Sequence, residues 1–243
     1  MKVILSWSSG KDSAWALHVL RSRNGIAPAA LLTTVSEAYD RVAMHGVRRS
    51  VLGAQAAAAG IPLLEVPLPS PCSNGVYEER MSSAVRSLVA EGFTHVAFGD
   101  LFLEDIRAYR EDRLRGSGLA PLFPLWGMPT RRLAEEMIEG GLEARLTCVD
   151  PRLVPAEFAG RAFDAALLGA LPDGVDPCGE HGEFHTCVTA GPMFSRSIPV
   201  TPGEVVERDG FVFADLQLVA NSTGTRFGMS PLSNASVIRR STA

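Results

Sequence analysis

The densest chemistry in the sequence lies at Ser8-Ser9-Gly10-Lys11-Asp12-Ser13. Serine and glycine permit a tight turn, and a helix starting there offers unpaired N–H groups and the positive end of its dipole to an anion. Lys11 adds a point charge, and the hydroxyls of Ser8, Ser9 and Ser13 add donors. Asp12 repels a phosphate by itself but serves one through a Mg2+ ion that bridges carboxylate and phosphate. The segment is not a Walker A loop, because GxxxxGK[ST] is absent. The plainer alternative is a serine-rich turn whose Asp12 or Ser13 caps a helix.

A second cluster is Asp176-Pro177-Cys178-Gly179-Glu180-His181-Gly182-Glu183-Phe184-His185-Thr186. Two carboxylates (Glu180, Glu183) and two imidazoles (His181, His185) among glycines suit a polar pocket better than a packed element. Glu183 or His185 can act as a general base, and Glu180 can orient a bound substrate. An ordinary acidic loop is the alternative. Zinc is a further one, with Cys178, His181, His185 and Cys187 as ligand types, although His185-x-Cys187 is cramped for one tetrahedral ion.

These residues need elements to position them. Residues 3–5 form a short apolar run entering the serine–glycine loop, and from Ser13 the pattern turns helical, with Ala16, Leu17 and Leu20 on one face and Gly25 as the stop. Strands are predicted at 29–35, 61–66, 95–98 and 122–125, and helices at 48–59, 74–91 and 105–115. Such alternation gives a parallel sheet covered by helices on both faces. After Trp126 the rhythm changes. Thr130 is predicted to cap a helix over 131–139, followed by a strand at 144–149 and a helix over 155–171. Asp209-Gly210 then marks a hairpin, whose second strand alternates Val212, Ala214, Leu216 and Leu218 with Phe211, Phe213, Asp215 and Gln217. The tail from Asn221 is polar and is expected to be flexible.

Ligands in open α/β sheets bind at the carboxyl ends of strands. Gly99-Asp100, ending a strand, would therefore share an edge with Ser8–Ser13, and Asp100 would hold Mg2+, orient a nucleotide, or cap the next helix. Glu104 and Arg107 open a charged run that reads as a solvated helix face or a substrate contact. His45, before Gly46, lines a site or is structural. Thr33 and Thr34 end the second strand, where backbone groups can meet adenine. Trp7, Trp15 and Trp126 stack on a base or fill the core.

SWSSGKDS resembles the PP-loop, SGGxDS, of the N-type ATP pyrophosphatases, departing at Ser9, where glycine is commoner. GDLFLEDIR from Gly99, YRE from Tyr109 and DPCGEHGEFHT from Asp176 are similar to motifs of the diphthine–ammonia ligase family. MHGVR from Met44 and LWG from Leu125 fit the same pattern, whereas His181 stands where that family carries Gly or Asn. The resemblance spans about residues 1–190. It implies a Rossmann-like (HUP-type) α/β domain over 1–128 and a smaller C-terminal α/β domain over 129–220 that binds the acceptor; the tail over 221–243 is read from its polar composition alone. It implies that Ser8, Ser9, Gly10, Lys11, Asp12, Ser13, Gly99 and Asp100 bind ATP, with Mg2+ on Asp12. By the same resemblance His45, Glu104, Arg107, Glu180 and Glu183 bind the acceptor, and Lys11, Asp12, Glu183 and His185 are catalytic. The implied reaction adenylates a carboxylate, releases pyrophosphate, and transfers ammonia with loss of AMP. The family's acceptor is diphthine on elongation factor two.

Composition bounds these readings. The 243 residues are 46% hydrophobic and 21% charged, which excludes global disorder. A net charge of −4 argues against a broad nucleic-acid surface, and no apolar run reaches the roughly 20 residues of a membrane helix. The start turns polar after Leu5, unlike a signal peptide, and four scattered cysteines read as reduced thiols, so a cytoplasmic protein is expected. Lys2 and Lys11 are the two lysines among 23 basic residues, a bias of GC-rich coding and hence of a bacterial host. Such a host makes no diphthamide, and the acceptor would then be another, unknown carboxylate. No glutaminase-type domain is recognised, so free ammonium is the simplest nitrogen source. A homodimer is a common state for a cleft enzyme of this size. Two rival functions remain. A PP-loop tRNA-modifying enzyme needs a basic surface and often paired cysteines, and a non-catalytic ATP sensor has no use for GEHGEFHT.

Overall fold

The structure, a computed structural model, describes residues 1–219 and 239–241. Its larger sheet has seven strands. Along its path lie β1 (Val3–Ser6), β2 (Ala30–Ser36), β4 (Leu63–Leu68), β5 (His95–Ala97) and β6 (Ala120–Leu122), parallel in the order β4-β2-β1-β5-β6. The short β3 (Arg41–Val42) pairs antiparallel with β2, and β11 (Arg239–Ser241) antiparallel with β4. The helices are α1 (Lys11–Ser22), α2 (Arg49–Ala59), α3 (Asn74–Ala90) and α4 (Glu104–Leu114).

Alternation along the strands sorts their side chains to two faces. Val3, Leu5, Leu31, Val35 and Leu63 join α1 and α2 in one core, and Ile4, Leu32, Leu64, Val66 and Val96 join α3 in the other. The strand order reverses between β1 and β5, so the loops after these two strands face one crevice. Gly60 closes α2 in the left-handed region at φ +67°, as its sequence position predicts, and Ser73 caps α3 by accepting the Val76 N–H at 3.3 Å.

The second sheet is antiparallel, in the order β8 (Phe184–Ala190), β7 (Glu143–Val149), β10 (Phe211–Leu218), β9 (Val200–Arg208). The Asp209-Gly210 hairpin forms as predicted, with Asp209 at φ +53° and Gly210 at φ +80°. The helices here are α5 (Thr130–Glu139) and α6 (Ala165–Ala170). Phe184, Cys187, Val188, Val212 and Leu216 continue the core of the α1/α2 face, so the second sheet is packed directly against the first unit.

Some boundaries differ from the sequence reading. The helix expected over 155–171 is a 3-10 turn at Ala156–Phe158 and then α6. Between them Gly160, at φ +87°, donates its N–H to Leu146 O at 2.8 Å, and Leu146 N–H reaches Arg161 O at 2.9 Å. Pairing with β7 thus outweighs local helical pattern, and Asp164 restarts the helix by accepting Leu167 N–H at 2.8 Å. Thr130 is not a cap; it is the first residue of α5, and its hydroxyl is drawn to Asp176 Oδ2 at 2.6 Å. The strand expected at 122–125 forms earlier, as β6, an edge strand that tolerates Pro121. Most of the tail expected to be flexible lies outside the described residues, and its segment 239–241 pairs with β4.

Candidate active site

The loop between β1 and α1 carries Ser8, Ser9 and Gly10. Ser9 is held at φ +71°, a conformation that suits glycine, and its hydroxyl oxygen is buried without a partner. Its carbonyl accepts Val188 N–H at 3.0 Å and Gln55 Nε2 at 3.1 Å. Ser8 Oγ lies 3.2 Å from Ser13 Oγ and accepts Gly10 N–H at 3.3 Å, while Ser13 Oγ donates to Gly10 O at 3.0 Å. Gly10 caps α1 with backbone alone. A Cβ there would lie 3.1 Å from His45 Cε1 and 3.2 Å from Thr186 O. Gly99 is tighter still: its Cβ would come within 2.9 Å of Asp12 C and Ser13 N. The end of β5 thus touches the loop's helix, bringing Asp100 to the edge predicted for it.

Lys11 is 2% exposed. Its Nζ donates to both Asp12 oxygens at 2.9 and 2.8 Å and to Cys178 O. Burial works against its charge, yet Asp12 and the neighbouring acidic groups outweigh that and raise its pKa. Lys11 N–H reaches Thr186 Oγ1 at 3.0 Å. The first helical residue therefore locks the phosphate-type loop to the second cluster. That cluster is itself ordered: Asp176 Oδ1 accepts Cys178 N–H at 2.8 Å and Glu180 N–H at 3.3 Å, and Glu183 Oε1 accepts Asp176 N–H at 3.0 Å. Glu183 is buried, with Oε2 unpartnered.

Glu180 Oε1 accepts Leu101 N–H, next to Asp100, at 2.8 Å. Burial, reinforced by Asp12 and Asp100, pushes its carboxyl up to about 7 despite that bond and Lys11. Asp100 does not cap α4; it takes Arg110 Nε at 3.3 Å, and Arg110 in turn lies over the Phe98 ring. Arg107 lies over both Phe123 and Trp126, 4.9 and 4.8 Å from their centroids, where the two rings meet edge to face, and bonds Glu111 at 2.8 Å. Glu104 opens α4 on the exposed side. The structure thus gathers Ser8–Ser13, Gly99, Asp100, Glu180, Glu183, His45 and His185, while Arg107 and Glu104 sit on the adjoining helix. Trp7 and Trp15 are core residues.

His185 lies on β8 rather than in a loop, and its ring centroid is 4.5 Å from that of His45. Burial and Lys11 push His185 down to about 4, and burial with His185 holds His45 well below the ordinary imidazole range. Both rings are neutral near pH 7. Beside them opens a cavity of about 240 Å3, lined by Ser8, Thr34 and His45 on one side and by Tyr77, Met81 and Phe98 on the other. Thr34 lines it, while the Thr33 hydroxyl is turned to Trp7 O at 2.7 Å.

The four groups weighed as zinc ligands point apart. Cys178 Sγ faces Thr130 O, Cys187 Sγ faces Gln55 Nε2, His185 packs at a tilt against His45, and His181 meets Phe102 edge to face. Among the described residues no three His, Cys, Asp or Glu side chains group as a metal site. Sequence reading quoted Asp176 and Thr186 within the second cluster but gave neither a role, and it missed Gln55. Gln55 takes Trp7 Nε1 at 3.0 Å and donates to Ser9 O and Val188 O, fully buried. A polar residue inside an alanine-rich helix was its one available signal.

Fold and site together define a PP-loop α/β protein whose loop is closed by an acidic segment from a second, antiparallel sheet. Two family descriptions match consecutive parts of the chain: the diphthamide synthase N-terminal domain over residues 1–121 and the diphthamide synthase C-terminal domain over residues 129–216. Over 236 residues, 88% of this chain and 88% of the relative, the sequence is 24% identical to a diphthine–ammonia ligase from Bos taurus. A diphthine–ammonia ligase from Schizosaccharomyces pombe is 33% identical over 94 residues, 37% of this chain and 16% of that relative. The chain belongs to the diphthine–ammonia ligase family. Among the described residues no helix is long and apolar enough to cross a membrane.

Proposed function

We propose that this protein is an ATP-dependent ligase that joins ammonia to a carboxylate, releasing AMP and pyrophosphate. The observation that carries the reading is the lock between the two clusters: Lys11 joins Asp12 of the loop to Cys178 O, two residues before Glu180, whose carboxyl feels the charges of both Asp12 and Lys11. An anion-binding loop and a proton-accepting carboxylate thereby face one space.

In this reading residues 1–128 bind the nucleotide and the part from 129 onward presents the acceptor. The cavity beside Ser8 and Thr34 takes the base. Ser8, Ser9, Gly10, the first N–H groups of α1 and Ser13 hold the phosphates, where the absence of side chains at Gly10 and Gly99 lets backbone approach. Asp12 is 27% exposed and offers hard oxygens, so it fits Mg2+, which is ordinarily held by one or two carboxylates plus phosphates. When bound, Mg2+ supplies neutralisation of the triphosphate charge. Lys11 holds Asp12 in place from behind rather than reaching past it.

The acceptor carboxylate attacks the α-phosphorus, the bond to the β-phosphate breaks, and pyrophosphate leaves. Ammonia then attacks the acyl carbon, and AMP departs with the former carboxylate oxygen. Ammonium must first lose a proton, and Glu180, titrating near 7, is matched to take it. Glu183 fixes the segment that carries Glu180, and neutral His45, with the His185 ring against it, borders the base cavity. Positioning supplies most of the acceleration. The relatives are named for diphthine and ammonia; we assign diphthine as acceptor where the host makes it, and another carboxylate otherwise.

The test is product analysis with α-labelled ATP, Mg2+ and ammonium, with and without a protein and metabolite extract of the source organism, for wild type and Asp12→Ala. Acceptor-dependent AMP and pyrophosphate, abolished in the variant, are expected. ADP and phosphate would overturn the reaction. Bound ATP without turnover in any extract would make the protein a sensor.

A further inference from the structure

The loop carrying His45 is held at both ends by one carboxylate from the other sheet. Asp215 Oδ1 accepts Arg41 Nη1 at 2.8 Å and Arg48 Nε at 2.9 Å, and Oδ2 accepts Arg48 Nη2 at 2.6 Å. Arg41 and Arg48 pair with each other as an antiparallel bridge, so both anchors sit at the base of the loop. Asp215 is 11% exposed, and Gln217 Nε2 adds a bond at 3.1 Å. Burial raises its cost as a charge, but the bonds from Arg48 and Arg41 outweigh this and hold it well below the usual carboxylate range.

The hairpin is shaped for this contact. The β9–β10 register shifts between Ala214 and Leu216, so that Gly203 and Glu204 together face the single Asp215. Such a bulge re-aims a side chain. A Cβ on Gly203 would lie 2.7 Å from Asp215 Oδ2, so the glycine leaves the carboxylate its room. Two residues earlier on the same face, Phe213 meets the loop again: a Cβ on Gly46, at φ +67°, would lie 3.0 Å from its ring. Between these supports the loop tip sets His45 against Gly10 and 4.5 Å from His185.

We infer that Asp215 is a positioning residue for the reaction, a clamp that holds the loop of residues 41–48 so that His45 closes the nucleotide site against His185. The inference deepens the ligase reading and relies on it for the turnover readout alone. Asp215→Asn keeps the shape and removes the charge. In the full chain with the supporting extract, its kcat/KM for ATP in AMP formation is expected to fall by up to about 10²-fold, because His45 lines the cavity that takes the base. Asp215→Glu is expected to restore most of the turnover. In histidine-labelled protein, the NOE between the His45 and His185 rings is expected in wild type and Asp215→Glu and lost in Asp215→Asn. An Asp215→Asn variant that keeps the NOE overturns the clamp, whether or not turnover falls. If Asp215→Asn does not fold, Gly203→Ala displaces the same carboxylate; the clamp requires it to weaken the NOE, and an unchanged NOE contradicts it. The NOE needs neither ATP nor acceptor. A wild type with the NOE but no AMP formation refutes the ligase reading and leaves the clamp judged by its own variants.

Discussion

At the scale of single residues, the chemistry was legible where it depends on residue type and hidden where it depends on environment. Ser8–Ser13 and the Glu180–His185 segment announce anion binding and proton transfer by composition. What the sequence could not show is that Lys11 is buried against Asp12 and Cys178 O, or that Glu180 alone of the two glutamates receives Leu101 N–H beside Asp100. Burial sets Glu180 near 7, against an ordinary 4.5. The native protein therefore holds a proton that the unfolded chain has released, so this group's stabilisation is full below the unfolded value and lost as pH rises through about 7. Glu180→Gln should flatten that part of the thermal-midpoint profile between about pH 4.5 and 7. The same variant should remove the rise in turnover through neutrality, because the deprotonated form is the base. An unchanged profile in both measurements would place the titration elsewhere.

At the scale of elements, periodicity located most strands and helices to within a few residues, because each strand alternates between two cores and helices stop at glycines such as Gly60. It failed at 155–171, where the preceding strand β7 claims the backbone of residues 160–163, a pairing that helical periodicity does not encode. It also missed Gln55, whose meaning lies in three distant partners. Gln55→Leu keeps the volume but strands Trp7 Nε1 in the core and takes one bond each from Val188 O and from Ser9 O, which keeps the Val188 N–H. Each buried group left unpaired costs about 1–3 kcal/mol, so a clear loss of stability in chemical denaturation is expected. Gly99→Ala tests the contact between strand end and loop. Its Cβ meets backbone at 2.9 Å, which cannot swing aside, so about 1–3 kcal/mol of overpacking is expected, with weaker ATP binding by calorimetry. Wild-type affinity in Gly99→Ala would show that the β5 end does not position the loop.

At the scale of the whole molecule, sequence alternation announced the parallel sheet and the hairpin announced a second unit, but neither shows how the two meet. That meeting is built by contacts between residues far apart in sequence: Lys11 with Thr186 and Cys178, Ser9 with Val188, and Arg41 and Arg48 with Asp215. The central claim is that this junction adenylates a carboxylate before ammonia arrives. It is tested most directly by isotope exchange between labelled pyrophosphate and ATP, with Mg2+ and the acceptor-containing extract but no ammonium. The account predicts label entering ATP only when acceptor is present, with none in Asp12→Ala. Exchange of labelled phosphate instead, or acceptor-dependent AMP formation without any pyrophosphate exchange, would contradict it.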